Sequence, residues 1–183
     1  MKEFIITIFF VFVWALAFPQ TNAFSQLLQT KSRGQVSLSS FSHKKILIVV
    51  CSAFNPDVSR LHALDNLAKA NLATLQVVVV PLIDIDSPAI KSGTPSLVLD
   101  TMKSNFIICI AGNGKKSASG SQVPLLGWLT KKTGNIHFDN DMQNSSQMFV
   151  IGENGILYAE LFGANDLTNG NLTGVLNARS PDN

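Results

Sequence analysis

The chain has 183 residues, 46% of them hydrophobic, and a formal net charge of +2. That is one domain's worth of chain, with enough apolar material for a core. Its Lys and Arg residues are scattered apart from pairs such as Lys44-Lys45, Lys115-Lys116 and Lys131-Lys132. The basic stripe of a nucleic-acid binder is therefore missing, and no nucleic-acid partner is expected.

The first 23 residues have the three parts of a secretory signal peptide. Met1-Lys2-Glu3 is a short n-region, Phe4 to Phe18 is apolar, and Pro19 to Ala23 is a small-residue exit with Thr21 and Ala23 at cleavage spacing. The apolar run is 15 residues long, whereas a membrane span needs roughly 20. Export to a periplasmic or extracellular space is the expectation, with no stable membrane span after cleavage; an uncleaved anchor is the alternative. No cysteine follows the run to accept a bacterial-type lipid. Residues 24–42 are Ser/Gln-rich without a clear period and read as a flexible lead-in.

Two cysteines, Cys51 and Cys109, are too few for a disulfide framework. They form neither a Cys-x-x-Cys pair nor a zinc-type set. Both lie in apolar runs, where a buried, inert thiol is the default. Pairing between them is left open, since it requires Cα atoms within about 7 Å.

Ile46 to Cys51 is a β-branched run expected as a strand buried on both faces. Asn55-Pro56-Asp57 predicts a helix start, with Asn55 as cap and Pro56 at the first helical position. Val58, Leu61, Leu64, Leu67, Ala68 and Leu72 continue at helical spacing. Thr74 to Val80, closed by Pro81, completes a parallel strand–helix–strand unit. A loop to Gly93, a short helix from Thr94-Pro95 to Met102 capped by Thr94, and a strand over Phe106 to Ile110 follow. After a polar loop from Gly112 to Gln122 comes a helix over Pro124 to Leu129, with Gly134 just beyond its end. Gln147 to Ile151 and Ile156 to Phe162 flank Asn154-Gly155, the signature of a hairpin whose two turn residues both take positive φ. A last helix is expected over Asn165 to Ala178. The order implies an α/β domain over residues 43–179.

Three stretches in that order resemble the glutathione peroxidase family. They are Lys44 to Asp57 (KKILIVVCSAFNPD), Ala111-Gly-Asn-Gly114 with Pro124-Leu-Leu-Gly-Trp-Leu129, and Phe149 to Phe162 (FVIGENGILYAELF). The resemblance covers residues 44–178 and implies a thioredoxin-like fold, a three-layer α/β/α sandwich around a central mixed sheet. It also implies reduction of hydroperoxides, as in oxidative-stress defence, with a glutathione- or thioredoxin-type reductant and no bound cofactor.

The positions that would carry this chemistry differ. Family members place a cysteine or selenocysteine after the first strand, where the start of a helix favours the thiolate. Asn55 falls there, and a one-residue slip reaches only Phe54 or Pro56. The supporting glutamine falls at Asp84, and the tryptophan and asparagine at Asn144 and Ser145. Asn55 is explained by capping alone, though backbone amides at a helix start also bind anions. Cys51 is the only candidate thiol nearby.

Two functions follow. One is a silent thioredoxin-fold domain, a pseudoenzyme with a binding face around Asn55, Asp84 and Asn144. The alternative is an active thiol peroxidase using Cys51. Other constellations carry less. Asp84 with Asp86, or His137 with Asp139 and Asp141, lack the ligand count of a cation site. His43 and His62 have no partner at ligand spacing, and the Gly112 to Gly120 loop lacks the phosphate-loop order. Asn144-Ser-Ser146 and Asn171-Leu-Thr173 match the glycosylation pattern, which has meaning in a eukaryotic host.

Overall fold

The computed structural model of the chain describes residues 22–86, 96–118, 120–162, 167 and 170–179. Of the leader expected over 1–23, residues 1–21 lie outside them, as does the Thr94 cap; Asn22 and Ala23 are described.

The central strand is β3 (Lys45–Ser52), and every one of its eight residues is buried. β4 (Leu75–Leu82) runs parallel to it, with Lys45 opposite Leu75 and Ser52 opposite Leu82. β5 (Ile107–Ile108) extends the parallel side. β6 (Met148–Ile151) and β7 (Leu157–Leu161) add antiparallel strands, giving the order β5-β4-β3-β6-β7. The central sheet is mixed.

Two apolar layers cover its faces because alternate residues of each strand point opposite ways. Leu47, Val49, Cys51, Val77 and Val79 pack under α1 (Val58–Ala70) and under α5 (Gly170–Asn177) through Leu172. Ile46, Ile48, Val50, Val78 and Val80 pack on the other face under α3 (Pro124–Thr130), which presents Leu125, Leu126 and Leu129. The short α2 (Val98–Thr101) adds Leu99 to the first layer. Helices on both sides make the expected three-layer sandwich.

Several expectations are corrected in detail. The Ser/Gln-rich lead-in is a hairpin of β1 (Leu27–Thr30) and β2 (Gly34–Ser37) between 3-10 turns at Ala23–Ser25 and Leu38–Phe41. Its Leu28 and Leu38 enter the core. β1 also covers the free edge of β5, with Ile110 N donating to Gln29 O at 2.8 Å and Lys31 N to Ile108 O at 3.2 Å. Covering a sheet edge with another segment removes its unpaired backbone groups, and the polar composition of 24–42 hid the strand that does it.

The cap of α1 is Asp57, whose carboxylate accepts from Arg60 N at 3.0 Å; Asn55 is exposed and lies two residues further out. Beyond α3, Gly134 falls inside a further turn, α4 (Lys132–Asn135), which ends on Ile136 at φ 63°. In the β6–β7 hairpin only Gly155 takes a positive φ, 79°. Gly155 N donates to Gly152 O at 2.9 Å and Gly152 N donates to Ile156 O at 2.8 Å, so the connection is a three-residue loop closing on a glycine bulge. The last helix is described from Gly170; its expected first residues fall mostly outside the described set.

Candidate functional site

The residues singled out from the sequence converge on the carboxyl ends of β3 and β4, where open α/β sheets bind ligands. β3 ends at Ser52, and α1 begins at Val58. The turn between them is organised by the Ser52 hydroxyl. It accepts from Phe54 N at 3.1 Å and Asn55 N at 2.7 Å, and it donates to the Asp86 carboxylate. Ala53 is tied on both sides, through its N–H to Leu82 O at 2.9 Å and its carbonyl to Ser96 N at 2.8 Å. The seat expected to hold a nucleophile thus presents the Asn55 amide to solvent over a hydrogen-bonded turn.

Cys51 sits one residue before Ser52, inside the strand. It is 6% exposed and belongs to the layer under α1. Burial pushes its thiol from 9.0 to about 12; Arg60 pulls the other way and is outweighed. At pH 7 roughly one molecule in 10⁵ would carry the thiolate, which is the reactive form. Cys109 is likewise pushed to about 12 by burial, and it packs in the opposite layer. Both thiols are free, and the sheet between the two layers separates them.

The other predicted positions are spent on architecture. The Asp84 carboxylate accepts Gly114 N and Lys115 N, each at 2.8 Å, which clamps the 112–118 loop against the end of β4. The Asn144 side chain accepts from Ser146 N at 2.9 Å and Ser146 Oγ at 2.7 Å, closing a local turn. Ser145 contributes its carbonyl to Arg60 Nη1 at 3.2 Å, while Ser146 O accepts from Nη2 at 2.9 Å. Asn55 and the 144–146 turn therefore flank the junction, with Arg60 between α1 and that turn. Asp84 is directed into the neighbouring loop and does not join the expected face.

Ser52, Asp86 and Arg60 are the junction residues the sequence reading left out of the site. A serine closing an otherwise apolar strand was the available signal for the first. Burial lowers the Arg60 pKa from its ordinary value, against the pull of Cys51 and Asp57.

The expected cation candidates are engaged elsewhere. Lys116 Nζ pairs with Asp139 at 2.6 Å, and its N–H donates to Asp141 at 2.8 Å. That ammonium, bonded to the Asp139 carboxylate, holds Asp139 below the usual carboxylate range. Among the described residues, no three His, Cys, Asp or Glu side chains come together as metal ligands. No helix among them is long and apolar enough to cross a membrane. His62 is exposed, and His43 is exposed at φ 72°.

No family model and no curated protein matches the sequence. Solved structures do match the fold. Trgpx in its apo form shares 16% identity, covering 88% of this chain and 99% of that one, at a TM-score of 0.61. Trypanosomal GPX1 from T. cruzi shares 13% over 85% of this chain and 97% of that one, at 0.57. A thioredoxin-like superfamily protein, SPOA0173, shares 15% over 88% and 99%, at 0.51. The fold is thioredoxin-like, and glutathione peroxidase structures are among those that share it.

Proposed function

We propose that this chain is an exported, divergent relative of the glutathione peroxidases whose thioredoxin-like domain binds a protein partner and no longer reduces peroxide. One observation carries this reading. The sulfur nearest the strand–helix junction is buried in the sheet with its thiol pushed to about 12, and the junction itself presents Asn55. Peroxide reduction needs a thiolate open to its substrate, and an amide cannot attack the O–O bond.

The rim of the junction supports a contact role. Leu97 is 70% exposed beside Ser96, which is bonded to Ala53, and Val58 is 41% exposed at the start of α1. Exposed apolar side chains beside a polar, hydrogen-bonded turn are the composition of a protein contact surface.

Purified protein is expected to consume no hydroperoxide above background with glutathione or a thioredoxin-type dithiol, and Cys51→Ala to leave that baseline unmoved. Turnover in the parent chain that Cys51→Ala abolishes would instead establish the thiol peroxidase. For the contact role, Asn55→Cys labelled with a photo-crosslinker should trap a discrete protein adduct in the chain's own host. Leu97→Asp should remove that adduct.

A further inference from the structure

Resting on the export reading above, we infer that processing of the leader occurs after Ala17, so that Asn22 and Ala23 stay in the mature protein as a structural anchor. The sequence alone pointed to a cut after Ala23, and the fold makes that cut destructive.

Asn22 and Ala23 belong to the folded domain. Asn22 Nδ2 donates to Asn154 O at 2.7 Å, and its Oδ1 accepts Phe24 N at 2.9 Å. Ala23 N donates to Gly155 O at 2.9 Å, and its side chain is fully buried in the layer under α3. The fit is tight enough to dictate the partner residue. A side chain at position 155 would place its Cβ 1.8 Å from Asn22 Oδ1, in a backbone conformation already reserved for glycine. A chain beginning at Phe24 would lose both bonds across to the hairpin and the cap of the first 3-10 turn. It would also place a charged amino group where an amide now sits.

A cut further upstream keeps all of this. Ala15-Leu16-Ala17 has small residues at the two positions a signal peptidase reads. Cutting there leaves Phe4 to Trp14 as the apolar core of the leader, 11 residues, within the usual 7–15. Phe18 becomes the first mature residue, and residues 18–21 remain ahead of the anchor.

The test is intact-mass measurement and N-terminal sequencing of the full chain expressed in a secreting host. A product beginning at Phe18 is expected, and Ala17→Arg should block its formation. A secreted product beginning at Phe24 overturns the inference while leaving export standing. A cell-retained chain still beginning at Met1 overturns export, and processing with it. The anchor is checked separately in chains made without a leader. One starting at Phe24 should melt at least about 5 °C below one starting at Phe18, and equal melting temperatures would overturn the structural half.

Discussion

The two ends of β3 carry buried polar groups of opposite character. At its first residue, the Lys45 ammonium meets the carbonyls of Leu176 at 2.7 Å and Val175 at 3.3 Å, with that of Ala178, at the end of α5. Glu153 lies 4.0 Å away, and the group lines a cleft of about 260 Å³ with Leu67, Leu75 and Leu176. Positive charge at a helix C-terminus is favourable, and here it also satisfies carbonyls that the helix cannot. At the last residue, the neutral Ser52 hydroxyl meets two amides and a carboxylate. The lesson is that both ends of the strand are closed by internal bonding. Neither end leaves a reactive group facing solvent, although only one of them is where chemistry was expected.

That comparison can be broken most visibly at the junction. Asn55→Cys places a thiol in the exposed seat while Cys51 and Cys109 remain at about 12. At pH 8 the new thiol should react with a disulfide reagent about 10³-fold faster than either native one. Equal rates would mean the native sulfurs open more readily than their burial implies. The same burial predicts alkaline sensitivity. Each thiol is held neutral in the folded chain, so its contribution to stability is full below about pH 9. It is lost as the pH rises toward about 12, where the folded state also ionises. Urea titrations of Cys109→Ala against the parent, repeated across that range, should show the flatter profile in the variant.

Cutting the other end comes next in size. Lys45→Ala leaves three carbonyls without their ammonium and is expected to lower stability by about 3 kcal/mol in chemical denaturation. The loss should be confined to the α5 end if hydrogen exchange is followed. Ser52→Ala should remove about 2 kcal/mol by leaving two amides and Asp86 unsatisfied, and should speed exchange at Phe54 and Asn55. Asp57→Ala should remove about 1 kcal/mol, whereas Asn55→Ala should be nearly neutral, because the capping group is Asp57. Reversal of that last pair would restore Asn55 as the cap.

The sheet was legible because its strands are continuous apolar runs. Ile46 to Cys51 and Leu75 to Val80 announce burial on both faces without reference to anything distant. The β6–β7 hairpin was legible for a local reason too, since Gly155 supplies the positive φ its turn requires. What failed depends on partners far along the chain. The β1–β2 hairpin reads as polar linker because its inward-facing Leu28, Thr30 and Val36 are set among polar neighbours, and the edge it covers lies some 80 residues on. The site was legible as a place but not as a set of side chains. Asn55 and the 144–146 turn do flank one junction, whereas Asp84 is drawn into a loop by Gly114 and Lys115 amides. Ser52, Asp86 and Arg60 act through contacts that periodicity does not encode.

The bond from Asn22 to Asn154 spans 132 positions. Ribosomes deliver the first of these residues long before the second, so the strap has nothing to grip until the closing hairpin has been synthesised. A nascent molecule therefore lacks this contact throughout elongation, and the turn at Ala23–Ser25 gains its partner only when the hairpin emerges. Once the ribosome has finished, the same contact locks the earliest folded segment to one of the latest, and completion of synthesis becomes the event that seals the domain.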